Sequence, residues 1–181
     1  MPRFVVVLPL MPLQTGESFA TAQWPLHITV LAPFETDAAP CEIARLAAAA
    51  LAGYDALDVV AGQDELFGRR HDILVTVIND NAALTQLHDR LVEALRPLAT
   101  DPNESAFTGP EFRAHVTVKQ QGRVRSGDEL RLTQVAVVDM APRTATSGRT
   151  VLATLDLDDF RAPTHPRTTR LPTGWRGLQP E

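Results

Sequence analysis

The sequence predicts an α+β fold built mainly from antiparallel sheet, and three observations predict it. Short runs of β-branched and aromatic residues recur along the chain, bounded by Gly, Pro, Asn and Asp, as strands and their turns require. Only two stretches, near residues 41–52 and 80–97, carry a sustained helical period. These two helices separate groups of strands without regular strand–helix alternation, which argues against a parallel, doubly wound sheet.

The elements follow in order. Residues 3–8, Arg-Phe-Val-Val-Val-Leu, are a continuous apolar run expected to form a central strand, ended by Pro9 and Pro12. Residues 13–23 are polar and loop-like. Trp24-Pro25-Leu26 leads into His27-Ile28-Thr29-Val30, a strand expected to close at Pro33. Ile43, Leu46, Ala47, Ala50 and Leu51 fall at helical spacing, with Gly53 placed to stop the helix. Residues 57–60 read as a short strand, and residues 65–67, bracketed by Gly62 and Gly68, as another. Residues 71–78 form a strong apolar strand. A second helix begins at Asp80 or Asn81, both good caps, buries Leu84, Leu87, Leu91, Leu95 and Leu98, and ends at Pro97. Its His88 falls on the exposed margin. Residues 99–111 read as a loop. Phe112-Arg113-Ala114 leads into His115-Val116-Thr117-Val118. Gly122 and Gly127 flank a turn. Residues 130–140 and 150–157 give two further strands, joined by a polar stretch around Ser147-Gly148.

Length and composition bound the answer. At 181 residues the chain is one domain or two small lobes sharing a cleft. The expected division is a single domain over residues 1–157 and a Pro/Arg-rich tail over 158–181. That tail carries Arg161, Arg167, Arg170, Arg176 and Trp175. It suits either a surface-draped segment or one that helps hold a nucleotide. A net charge of −5 argues against a long nucleic-acid groove, but not against a small anionic substrate or the end of an RNA. Cys41 is the single cysteine, so no intrachain disulfide forms, and a reducing cytoplasm is the expected compartment. The apolar run near the N-terminus is broken by Pro9 and Pro12 and reads as strand rather than signal peptide. No stretch approaches the roughly 20 apolar residues of a membrane span.

The chemistry lies in a phrase stated twice, His27-Ile28-Thr29-Val30 and His115-Val116-Thr117-Val118, 88 positions apart. Alternation along a strand puts each histidine and its threonine on one face, and the apolar pair on the other. The remaining histidines, His71, His88 and His165, have no threonine two positions on. Two imidazoles can divide the roles of base and acid near neutral pH. In-line displacement at phosphorus needs those roles on opposite sides of the reacting atom. Threonine hydroxyls can donate to the non-bridging oxygens where charge accumulates. No metal or cofactor is required by this set.

Two H-x-T phrases in apolar strands, with leaders Trp24-Pro25-Leu26 and Phe112-Arg113-Ala114, resemble the 2H phosphoesterase superfamily. The nearest likeness is to the bacterial 2′-5′ RNA ligase-like and RNA 2′,3′-cyclic phosphodiesterase members. The resemblance covers about residues 3–157. It departs at Ala114, where many members carry proline. It implies a bilobal fold of duplicated α/β units, with the active cleft between antiparallel sheets. It implies His27, Thr29, His115 and Thr117 as the catalytic set, with His115 as base and His27 as acid. It also implies hydrolysis of a 2′,3′-cyclic phosphate at RNA ends or on small nucleotides, or joining of RNA ends through 2′-5′ bonds.

Further candidates surround this set. Arg113 and Lys119 share the His115 face by alternation, and Arg113 is the leading extra phosphate contact. His71, beside Arg69 and Arg70, suits a cleft-rim contact or a solvated strand start. Trp24, Phe112 and Phe67 can stack on a base or serve the core. A zinc site is disfavoured because each phrase offers one histidine with no adjacent Cys, His or carboxylate. A binding module that grips a phosphorylated nucleotide without turnover is the rival class. The chain is expected to act as a monomer.

Overall fold

The computed structural model describes residues 2–108, 112–140 and 148–157. The tail arginines and Trp175 lie outside the described residues. Among the described residues, nine strands form one antiparallel sheet: β1 (Arg3–Pro9), β2 (Ser18–Phe19), β3 (His27–Glu35), β4 (Leu57–Phe67), β5 (Ile73–Ile78), β6 (His115–Thr117), β7 (Glu129–Leu132), β8 (Gln134–Asp139) and β9 (Arg149–Asp156). Their order is β2-β9-β8-β1-β3-β6-β5-β4-β7, every pairing antiparallel. The expected α+β fold with antiparallel sheet is borne out. The two halves of the sheet join at the middle, where β3 meets β6. The repeated phrases are therefore neighbours in one sheet, not strands facing each other across a gap.

The helices α1 (Pro40–Leu51) and α2 (Ala82–Leu95) bury Ile43, Ala47 and Leu51, and Leu84, Leu87, Leu91 and Leu95, respectively. Asn81 caps α2 as its type predicts, its Oδ1 accepting from the Leu84 N–H at 3.0 Å. Both helices pack on one face of the sheet against Phe4, Val6, Leu8, Ile28, Leu31 and Val116. On the other face Val5, Val7, Ala136, Val138 and Val151 form a smaller core with Leu13 and Trp24. The continuous apolar run of β1 follows from this, because both its faces are covered.

Four differences from the sequence expectations have local causes. β3 runs through Pro33 to Glu35 instead of stopping, because β6 pairs with it only around Ile28 and leaves Pro33 on an open edge. The stretches 57–60 and 65–67 are one strand, bent by a register shift between Ala61 and Asp64. Gly62 sits in that bend, where a Cβ would stand 2.6 Å from Asn79 Oδ1 and 3.2 Å from the Val77 carbonyl. The stretch 130–140 is two strands parted by Thr133 that pair with different neighbours: β7 with β4, and β8 with β1. That single-residue passage between the end of the order and its interior requires the sheet to curl. The loop 99–111 holds a short helix, α3 (Ser105–Thr108).

Candidate active site

One cross-strand pair sets the geometry. Ile28 lies opposite Val116 in the antiparallel seam between β3 and β6, and both are buried toward the helices. Continuing that register places His27 opposite Thr117 and Thr29 opposite His115, all four on the other face. The four side chains thus occupy the corners of a square. The histidines stand on one diagonal and the threonines on the other. Diagonal neighbours on adjacent strands lie about 7–8 Å apart, a separation that leaves room for one tetrahedral group between two imidazoles.

Each imidazole is held by the same local device. His27 Nδ1 contacts the Pro25 carbonyl at 2.7 Å, and His115 Nδ1 contacts the Arg113 carbonyl at 2.8 Å. A carbonyl only accepts, so Nδ1 carries the hydrogen in both rings, and Nε2 is the nitrogen left for chemistry.

The two halves of the square differ in their surroundings. His27 is stacked on Trp24, ring centroids 3.9 Å apart. Lys119 Nζ lies 5.4 Å and the Arg149 guanidinium 5.8 Å from the Trp24 ring. Lys119 also donates to the Trp24 carbonyl at 2.6 Å and the Pro25 carbonyl at 3.3 Å, fixing the leader of the first phrase. Burial pushes the His27 imidazole down to about 4; its bond to the Pro25 carbonyl opposes this, and the charges of Lys119 and His115 reinforce it. His27 is therefore neutral in the free protein at pH 7.

His115 instead borders open space. Its ring packs against Phe67 at 4.7 Å, and the Arg113 guanidinium sits over Phe67 at 5.0 Å. Arg113 forms a forked ion pair with Glu65, at 2.7 and 2.9 Å. Below His115 the two phrase strands diverge, and a cavity of about 1090 Å³ fills the gap. Thr29, His115, Arg113, Phe112 and His71 line it together with Glu65, Leu66 and Phe67 of β4 and with Thr85, His88, Asp89 and Val92 of α2. The structure so gathers the expected site residues: four in the square, Trp24 behind His27, and Phe112, Arg113 and His71 around the cavity.

His88 departs from its expected exposed position. Its ring stacks on Phe112 at 4.2 Å, tilted by 6°, and Nδ1 contacts the Val30 carbonyl at 2.6 Å. It lies about one helical turn from Leu84 and from Leu91 on the buried stripe, and that flanking position was the available signal. Among the described residues, no three of His, Cys, Asp and Glu converge as a metal cage. No helix among them is long and apolar enough to cross a membrane.

Comparison with known proteins adds a family and a fold. A profile of the 2′-5′ RNA ligase superfamily matches residues 14–141. No curated protein matches the chain. Among solved structures, E. coli LigT complexed with 3′-AMP is similar, with a TM-score of 0.57, 16% identity, and coverage of 88% of this chain and 100% of LigT. TT0787 of Thermus thermophilus is similar with a TM-score of 0.60, 12% identity, and coverage of 87% and 99%. A LigT structure complexed with phosphate gives a TM-score of 0.56 at 16% identity, covering 87% and 99%. At such identities the likeness establishes the fold.

Proposed function

Because this chain belongs to the 2′-5′ RNA ligase superfamily, we propose that it is a 2H phosphoesterase that hydrolyses 2′,3′-cyclic phosphates of RNA ends or small nucleotides without a metal ion. The observation that carries this reading is the square, with two Nε2 atoms on one diagonal and two hydroxyls on the other. A phosphate seated at its centre has an imidazole on either side, as in-line displacement requires, and a hydroxyl for each of two non-bridging oxygens.

His115 serves as base and His27 as acid. His115 borders the cavity, where water is at hand, whereas His27 is enclosed by Trp24 and Lys119. His115 Nε2 takes a proton from water while the water oxygen bonds to phosphorus. The P–O3′ bond breaks, O3′ takes a proton from His27 Nε2, and a 2′-phosphate is left. The depressed His27 is no obstacle, because the arriving phosphate anion stabilises the imidazolium, which takes its proton from solvent before the step. The LigT structures complexed with 3′-AMP and with phosphate support a phosphate-bearing ligand in this fold. Ligation is the same exchange with an RNA 5′-hydroxyl in place of water.

The test is turnover of 2′,3′-cyclic nucleotides by the purified chain, with and without a strong chelator. Activity persists in chelator, and His27→Ala and His115→Ala each lose on the order of 10² to 10⁴ in rate. An aryl phosphodiester, whose leaving group needs no proton, assigns the roles: His27→Ala retains activity on it and His115→Ala does not. Full activity in both variants on the cyclic substrate would end the two-histidine mechanism. Silence on every cyclic phosphate would favour a binding module.

A further inference from the structure

The two imidazoles are held by the same bond, but the carbonyls that receive it belong to unlike residues. Each acceptor stands two positions before its histidine: Pro25 before His27, and Arg113 before His115. The pyrrolidine ring of Pro25 fixes one backbone dihedral of the first leader. Lys119 Nζ then holds the same carbonyl from beyond the end of β6. The second leader, Phe112-Arg113-Ala114, contains no proline. It lies outside any strand and runs into β6, which is only three residues long. By its backbone alone, the carbonyl that sets the His115 tautomer is the less constrained of the two.

Side chains supply the missing restraint. Arg113 Nη2 bridges both carboxylate oxygens of Glu65, at 2.7 and 2.9 Å. Glu65 and Phe67 lie two apart on β4 and so share one face. The Arg113 guanidinium covers the Phe67 ring at 5.0 Å, and Phe67 packs against the His115 ring at 4.7 Å with 58° between the planes. The contacts close on themselves. They run from His115 Nδ1 to the Arg113 carbonyl, out along Arg113 to Glu65, along β4 to Phe67, and back to the imidazole. In the sheet β5 lies between β4 and β6, so this circuit ties His115 to a strand that its own strand never meets. With side chains 54% and 39% exposed, the ion pair adds little to stability. Its effect lies in what it holds still.

We infer that Glu65 is a positioning residue for His115: by clamping Arg113 over Phe67 it fixes both the leader carbonyl and the ring that together aim the imidazole Nε2. Arg113 then serves the aim of the base and is not a phosphate contact. The role of His115 as base rests on the proposed two-histidine chemistry, whereas the clamp itself does not.

The experiment compares Glu65→Gln, Arg113→Met and the double variant in steady-state turnover of a 2′,3′-cyclic nucleotide, with nuclear magnetic resonance of the His115 ring beside it. Each single variant lowers kcat about tenfold, the cost of a slightly misaimed group, while KM stays within about twofold of wild type. The double variant loses no more than either single one, because the two residues act as a unit. Losses on the aryl phosphodiester match those on the cyclic substrate, since the base is needed whatever the leaving group. Thermal melts of the variants coincide with that of the wild type. Cross-relaxation between the ring protons of Phe67 and His115, strong in the wild type, falls severalfold in Glu65→Gln. Wild-type kcat in Glu65→Gln would overturn the inference, as would an undiminished ring contact. So would opposite shifts of KM, lower in Glu65→Gln and higher in Arg113→Met, which mark a guanidinium held back from the phosphate. If the wild type turns over no cyclic phosphate while the ring contact still depends on Glu65, the hydrolase reading falls and the clamp stands.

Discussion

Binding of a phosphodiester beside His27 is expected to draw a proton from solvent. In the free protein burial holds this imidazole down to about 4, so at pH 5.5 it is almost wholly neutral. A phosphate monoanion about 4 Å from the ring attracts the imidazolium by about 4 kcal/mol at an effective dielectric near 20. At about 1.36 kcal/mol per pKa unit this is a shift of about 3 units, which brings His27 close to 7. Binding at pH 5.5 then takes up about 0.9 proton, and binding at pH 8.5 takes up almost none. Calorimetry in two buffers of different ionisation enthalpy measures this directly. The ligand should be an unreactive uridine phosphodiester analogue, which neither gains nor loses a proton over this range. His27→Gln should abolish the uptake. If the wild type takes up no proton at pH 5.5, or the glutamine variant takes up as much, the account of how a half-buried, neutral imidazole becomes the acid is refuted.

Three further outcomes follow from the same geometry. The folded His27 titrates below its ordinary value of 6.5, so the unfolded chain gains a proton first; stability from this residue is intact above about 6.5 and falls by about 3 kcal/mol as pH drops to about 4. Denaturant melts of wild type and His27→Gln across that window should converge toward low pH, and parallel curves would contradict the burial argument. Ile28→Ala, at the one cross-strand pair of the seam, should cost about 2–5 kcal/mol and lower kcat even where the protein remains folded, which a thermal melt beside an activity assay will separate. Lys119→Met removes both the anchor of the Trp24–Pro25 leader and a cation near His27, so the His27 imidazole should titrate higher, as nuclear magnetic resonance of the ring protons would record.

What the sequence disclosed was local. The faces of the two phrases were legible because alternation is a property of each strand alone, and the α2 boundary because Asn81 caps it without outside help. What stayed hidden depended on partners. Nothing near Pro33 tells that β6 leaves it on an open edge, and nothing near Thr133 tells that the strands on its two sides choose different neighbours. That the two histidines share one face of one sheet follows from the pairing of Ile28 with Val116, which no single-strand pattern encodes. Alternation alone puts Arg113 beside His115, but the pairing of Arg113 with Glu65 joins residues 48 apart in sequence. His88 was the clearest omission, because its role comes from Val30 and Phe112, not from its own helix.

The position of β1 has a consequence for how the molecule is made. β1 is the first element of the chain, yet it lies between β3 and β8, and Val5 meets its partner only at Val138. As the chain leaves the ribosome, one edge of this very apolar strand stays open until β8 has been added. During that interval Val5 and Val7 offer an unpaired template to any other nascent strand. Spontaneous refolding must likewise wait for a contact between distant parts of the sequence, which places it among slow, topology-limited folders. A ribosome stalled before residue 134 would release a chain with both histidine–threonine phrases already synthesised and the strand beside the first of them still unsheltered.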